Sequence, residues 1–333
     1  MSPSSCFPLL NLPLLAFENV INVMNPDIIL DLAFLSKSFK SYLSAVKFKI
    51  DSFEWTLTQN QIGVTINLYR SWNIRIQSNC AFKSEPRNVN GTTVPLASYN
   101  CPFGGTMWFL TPGHSESSKL AMLETLTSFL MSFVRCSRFK LDYSLEHNLL
   151  SKDFFVWKYL KGKPIDLAIS GIQNAPLEMS SEVLKFVLED LKCDKLKLNV
   201  DVKDFKFEGP LETKELIISH GNFLDLRQAR LNCETLRAWF EPEDVNQLLQ
   251  NWIRGESLVN LEFLRMFNDR SADPVVLKGI QNCKSRFSFS DIVKRIGNTI
   301  RKSDCRDIQR ESDGGWGTVI RNEIAVYFIV WEE

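Results

Sequence analysis

FPLLNLPLLAFENVINVMNPDIILDLAFLSKSFKSYLSAVKFK, residues 7 to 49, sets three short amphipathic segments between prolines near the start of a 333-residue chain. Leu12-Pro13 opens the first, because proline loses no hydrogen bond in the first turn of a helix, and apolar residues follow at Leu14, Phe17, Val20, Ile21 and Met24. Asn25-Pro26 ends that segment. Pro26 starts the next, which carries Ile28, Ile29, Leu30, Leu32, Ala33, Phe34 and Leu35. Ser36 is placed to cap a third helix holding Phe39, Tyr42, Leu43 and Val46. A bundle of roughly 45 residues hides only about 60% of its unfolded surface, and these segments are apolar on more faces than that allows. Part of the apolar surface therefore needs a partner.

The stretch resembles the F-box, the helical module that binds the small adaptor subunit of cullin-RING ubiquitin ligases. The likeness rests on Leu12-Pro13, the apolar series ending at Met24, Asn25-Pro26-Asp27 at the next helix start, and Leu35-Ser36-Lys37 followed by Phe39. Leu15 stands where many F-boxes carry an acidic residue, and Phe39 where tryptophan is common. The resemblance implies an adaptor of the Skp family as partner. Its docking patch is expected from Leu12, Pro13, Leu15, Val20, Pro26, Ile29, Leu30, Leu35 and Phe39, and the sequence does not separate those facing the adaptor from those in the core. The alternative is a helical cap whose apolar residues all turn inward on the next domain. A secretory leader is not expected, because no Lys or Arg precedes the apolar run and Pro8 and Pro13 interrupt it.

Composition agrees with an intracellular, cytoplasmic or nuclear protein of two or three cores: 44% of residues are hydrophobic and no stretch has the length and character of a membrane span. Lys plus Arg and Asp plus Glu are equal at 39 each, so no global field recruits nucleic acid or an anionic membrane. Local patches such as Lys294-Arg295 and Arg301-Lys302 are read as solvated faces. The eight cysteines, at 6, 80, 101, 136, 193, 233, 283 and 305, form no C-x-x-C pair and read as reduced, mostly buried thiols.

Beyond the helices, Phe53 to Gln77 alternates as strands do in Trp55-Thr56-Leu57, Val64 to Leu68 and Ile74-Arg75-Ile76. Residues 86 to 114 hold four of the thirteen prolines and Asn90-Gly91, and read as loop or irregular hairpin and a boundary. Helical periodicity resumes from Ser117 through Leu120, Leu123, Leu126, Leu130 and Phe133.

Three segments then repeat at a twenty-residue spacing: LKCDKLKL from 191, LETKELII from 211 and LNCETLRA from 231. Weaker members lie at 139, 164 and 258, separated by helical stretches such as Ser180 to Leu191 and Asp244 to Trp252. The pattern is that of a short leucine-rich-repeat-like array in which each unit supplies a strand and a return segment. An ordinary α/β sheet with a chance echo is the alternative. Strand alternation sends Leu196, Leu198, Leu216, Ile218 and Leu236 inward. Lys197, Asn199, Ser219, Arg237, Trp239 and Glu262 would then line the strand face, where Trp beside Arg suits a protein-binding hot spot.

The C-terminus reads as a β-meander over Asp304 to Gln309, Trp316 to Ile320 and Ile324 to Trp331, with a turn at Ser312 to Gly315. Gly314-Gly315-Trp316-Gly317 lacks the spacing of a phosphate loop. The fold class expected is α+β: an N-terminal three-helix F-box, an irregular α/β repeat array and a closing meander. The segments are 1–50, 51–138 (β-rich segment, loop and linking helix), 139–270 and 271–333.

Taken whole, the chain resembles the nematode-expanded group of F-box proteins carrying a type 2 F-box-associated domain. The supporting stretches are the FPLLNLPLL opening, Asn251-Trp252-Ile253 followed by LVNLEFL, and Asp307-Ile308, Asp313-Gly314 and Val330-Trp331. That group implies a substrate-recognition subunit that binds an adaptor at its N-terminus and a protein target beyond it. A non-catalytic interaction scaffold is the other function carried forward. The three histidines, His114, His147 and His220, sit in no catalytic motif, and Glu241 and Glu243 flank Pro242 where a helix dipole accounts for them. No catalytic residue, metal set or cofactor is expected, and no nucleic-acid or membrane partner.

Overall fold

The computed structural model describes residues 9–67, 71–76, 84–100, 106–111, 115–145, 150–220, 222–267, 274–296, 304–321 and 325–331. Phe7, Pro8, His114, His147, Arg301, Lys302, Ile324 and the thiols Cys6, Cys80 and Cys101 lie outside them. The chain is mixed α and β, with helices at the N-terminus and mostly strands after them. It divides into two compact units, Met1–Tyr143 and Ser144–Glu333.

In the first unit a short 3-10 turn at Leu9–Asn11 leads into α1 (Leu14–Val23), α2 (Pro26–Leu35) and α3 (Lys37–Val46). The boundaries have local causes. Asn25 accepts a hydrogen bond from the Asp27 amide at 3.0 Å with Pro26 in the first turn, and Ser36 Oγ accepts from the Phe39 amide at 3.1 Å. Phe17, Ile21, Ile29, Leu30, Phe34, Phe39 and Leu43 are all buried, with Phe17 meeting the Phe39 ring edge-on at 5.8 Å.

The helices are followed by β1 (Phe48–Thr58), β2 (Gln61–Asn67), β3 (Ser71–Ile76), β4 (Glu85–Val89), β5 (Thr92–Asn100), β6 (Thr106–Leu110), α4 (Glu116–Met131) and β7 (Val134–Ser144). Among the described residues the strand order is β7-β1-β2-β3-β6-β5-β4, antiparallel at β1/β2, β2/β3, β6/β5 and β5/β4 and parallel at β3/β6. The stretch from 86, read from its prolines as irregular and a boundary, begins instead as a regular hairpin in this sheet. Asn90-Gly91 forms its two-residue turn with positive φ at both positions, and Val89, Val94 and Leu96 are buried.

α2 and α3 are fastened to this unit. Phe34 stacks on Phe129 of α4 at 4.9 Å, Asp31 pairs with Arg87 of β4 at 3.3 Å, and Lys40 reaches Asn90 at 2.5 Å. The helices and the strands after them therefore share one core. Trp55, fully buried in β1, donates from its indole nitrogen to Thr127 Oγ1 of α4 at 3.0 Å.

The second unit contains α5 (Trp157–Leu160), β8 (Ile165–Ile169), β9 (Leu177–Glu178), α6 (Ser181–Glu189), β10 (Cys193–Asp201), β11 (Leu211–Glu212), β12 (Glu215–His220), β13 (Leu231–Asn232), β14 (Thr235–Trp239), α7 (Pro242–Arg254) and β15 (Phe263–Phe267). β8, β10, β12, β14 and β15 run parallel in that order. Leu196, Leu216 and Leu236, which recur every twenty residues, stand opposite one another in adjacent strands, flanked by Leu167 and Leu264. All are almost fully buried. The twenty-residue returns hold only the short strands β11 and β13, while the wider intervals hold α6 and α7.

β16 (Cys283–Lys284), α8 (Phe289–Ile296), β17 (Asp304–Gln309), β18 (Trp316–Arg321) and β19 (Ala325–Trp331) complete the unit. β19 pairs antiparallel with β15, and the meander continues through β18 and β17 to β16. Gly317 lies in β18, where a Cβ would collide with the Phe328 ring. α8 was not foreseen; it opens with Ser288 capping the Asp291 amide at 3.2 Å, the S-x-x-D signature of a helix start.

Replacing Phe34 with Ala is expected to cost about 3–5 kcal/mol, because it empties a ring-sized space against Phe129. Urea denaturation should show the first unit's midpoint lowered with its slope unchanged.

Candidate interaction surfaces

The N-terminal helices bury their inward faces in the core of the first unit yet leave apolar side chains in solvent. Leu15 is 71% exposed, Val23 83% and Leu35 57%, with Leu14 and Ile28 about half exposed. Ile28, half-buried Leu32 and Leu35 stand at i, i+4 and i+7 on α2, one stripe pointing away from Ile29, Leu30 and Phe34. Of the residues expected to dock a partner, Pro13, Leu15 and Leu35 are exposed and Leu12 and Val20 half-buried. Pro26, Ile29, Leu30 and Phe39 are instead buried. They are the inward faces of α2 and α3 and are not available to a partner in this conformation. Leu14, Val23 and Ile28 were missed, because helical spacing alone marks two apolar faces without ranking them.

The second surface is the strand face opposite the leucines of the parallel array. Lys197, Ile217, Arg237, Arg265 and Tyr327 stand opposite one another across β10, β12, β14, β15 and β19. Trp239 is 49% exposed and stacks on Phe267 of the next strand at 4.5 Å and 19°. Arg265 lies over the Phe267 ring at 4.1 Å and the Tyr327 ring at 5.4 Å. Glu215 takes Lys195 at 2.6 Å and, more loosely, Arg237 at 3.8 Å.

The expected strand-face residues divide. Lys197, Arg237 and Trp239 do line this surface, and Ser219 is half-buried where the pairing of β10 and β12 shifts by one residue. Asn199 does not line the open face: it is 7% exposed because its amide donates to the Asn174 carbonyl at 2.5 Å, within the turn at Ile172–Asn174. Glu262 sits at the rim, paired with Arg295 of α8 at 3.3 Å. Phe267 and Arg265 were missed, although the FLRMF run after the 258 repeat carries the same alternation.

α8 covers the part of this face that lies over the meander. Ile292 is buried against Ile320, Ala325, Tyr327 and Ile329. Among the described residues no helix of this unit covers the face over β10, β12 and β14 in that way, and Arg237 and Trp239 there are about half exposed.

Two clefts of the second unit hold cysteine or carboxylate side chains. One of about 650 Å³ lies at the starts of the parallel strands and includes Cys193 and Cys233. Burial, with neighbouring carboxylates adding to it, pushes both thiols up to about 12, which removes the thiolate a nucleophile needs. A second, of about 430 Å³, is bounded by Gln250, Arg254 and Asp307. Asp307 is fully buried there, accepting from Thr318 Oγ1 at 2.7 Å and the Arg286 amide at 2.9 Å, so its oxygens are engaged in joining the meander. Glu243 and Asp244 occupy the first turn of α7 with Glu241 as its cap residue, where the helix dipole favours them. His220 is exposed at the end of β12. No cluster of metal-ligating side chains occurs among the described residues, and no helix there is long and apolar enough to cross a membrane.

Comparison with models of known families, with curated proteins and with solved structures finds no match to this chain.

In the native protein at about pH 8, iodoacetamide should alkylate exposed Cys283 and spare Cys193 and Cys233, as read by peptide mass spectrometry. Because the folded state holds the latter two protonated while unfolded thiols ionise near 9.0, stability should fall as pH rises from about 9 toward 12.

Proposed function

We propose that this chain is a non-catalytic substrate receptor of a cullin-RING ubiquitin ligase, its N-terminal helices docking a Skp-family adaptor and its second unit holding a protein target. The observation that carries the reading is the apolar surface left on helices whose inward faces are already buried, in a segment whose order of prolines, caps and apolar residues resembles the F-box. Leu14, Leu15, Val23, Ile28 and Leu35 cost solvation in the free chain and are offset by a partner. A stable interface of ordinary size buries on the order of 1,600 Å² in total. The receptor's contribution to reaction is effective concentration and orientation of the target. The strand face around Trp239 is the target surface in this reading.

A scaffold protein whose helices only cap their own domain is the second reading, and the stacking of Phe34 on Phe129 favours it. That contact makes the helices part of the first unit's core. Deleting residues 1 to 50 therefore harms the fold on either reading, and point changes on the outer stripe separate the two.

Purified full-length protein should retain the adaptor saturably in a pull-down, and Leu15→Asp with Leu35→Asp should weaken retention at least about tenfold. Circular dichroism should be unchanged, since both side chains are exposed. Absence of binding by folded wild type removes the receptor reading and leaves the scaffold.

A further inference from the structure

The uncovered strand face is short of negative charge. Lys195, Lys197, Arg237 and Arg265 project from its strands against the carboxylates of Asp166 and Glu215. Glu215 is already held by Lys195 at 2.6 Å and reaches Arg237 only at 3.8 Å. Arg237 and Arg265 are direct cross-strand neighbours, an unfavourable arrangement of like charges that the rings under Arg265 and the distant Glu215 carboxylate ease and that a further anion above them would relieve. Among the described residues neither Lys197 nor Arg265 has a carboxylate partner, and the buried Nε of Arg265 makes no hydrogen bond there. Beside these cations the Trp239–Phe267 stack offers half-exposed aromatic surface.

The covered part of the same face indicates what kind of occupant fits. There the chain's own α8 lies on the strands with one apolar side chain, Ile292, buried among Tyr327, Ile320 and Ile329, and one charged contact at its edge, Arg295 to Glu262 at 3.3 Å. The open part continues that surface with opposite demands on charge: it carries more cations than acids.

We propose that this open face binds an acidic peptide segment of a partner protein, an aromatic or leucine side chain of the segment seated on the Trp239–Phe267 stack and its carboxylates on Arg237, Arg265 and Lys197. The inference names the chemical class of the target and rests on the reading of this face as the target surface. Guanidinium groups here pair with carboxylates in planar fashion while the aromatic stack excludes water from the contact. A nucleic acid is a poorer match. The two rings spend one face each on one another, the Glu215 carboxylate lies among the cations where it repels phosphates, and the cations run across strands rather than along a backbone track.

The test is selection from a displayed library of random 12-residue peptides on immobilised full-length protein, with an unlabelled single-stranded 12-mer oligonucleotide as competitor. Peptides rich in Asp and Glu and carrying Phe, Trp or Leu should be enriched. The best of them should bind Trp239→Ser and Arg237→Ser variants about tenfold or more weakly, with melting temperatures showing both variants folded; Arg237 is exposed enough that its change spares the core. Enrichment of basic or uncharged peptides, no enrichment, equal binding by both variants, or displacement by the oligonucleotide at comparable concentration would each overturn the proposal. Adaptor retention measured on the same preparations keeps the two readings apart. Retention without acidic-peptide capture rejects the peptide alone, and capture without retention rejects the ligase receptor and leaves the peptide surface in place.

Discussion

One row of side chains sets the second unit. Leu167, Leu196, Leu216, Leu236, Leu264, Phe328 and Val319 stand opposite one another across consecutive strands, each at most 1% exposed. Every member is wall and floor for its neighbours, so their burial is collective. A slip of one residue in β10 or β14 would send its leucine to the other face and bring a charged or polar side chain into the core. The register of this row therefore also fixes the opposite one. Lys197, Ile217, Arg237 and Arg265 are brought side by side because the leucines beside them in sequence must be.

This explains why much of the second unit was legible. A twenty-residue recurrence of Leu with strand alternation around it specifies both pairing and facing, and Leu196, Leu216 and Leu236 lie where those two rules put them. The meander after Asp304 was legible for a related reason, since its strands are consecutive and joined by short links. Asn199 fails the same rule through a non-local contact: the strand alternates as expected, but the turn at Ile172–Asn174, far away in sequence, lies over it. The α8 start was present at Ser288 and Asp291 but hidden among charged residues that look like a solvated patch.

The first unit was read less well, and the reason is topological. β3 pairs in parallel with β6, so a hairpin is enclosed between two strands adjacent in the sheet. Local patterns do not reveal such a pairing. In the helices the sequence identifies three amphipathic elements and their caps, yet α2 is apolar on both sides, with Ile29 and Leu30 inward and Ile28 and Leu35 outward. Only the position of Phe129 and Arg87, supplied by later segments, decides which side is core. The two candidate surfaces consequently differ in kind. One is nearly pure apolar helix surface, and the other is an aromatic stack set among cations.

The reversal of direction between β15 and β19 has a consequence for how such a chain can change length. From β8 to β15 the strands are parallel, and each return brings the chain back to begin the next strand on the same side. At β19 the direction turns over, and the sheet finishes in β16, a strand of two residues. So brief an edge offers few free backbone groups to a strand of another molecule. Duplicating a twenty-residue unit before Phe263 adds a strand and widens the parallel array by one position. Duplicating anything after it displaces the meander in which the sheet ends, so the parallel array can lengthen while its antiparallel end stays as it is.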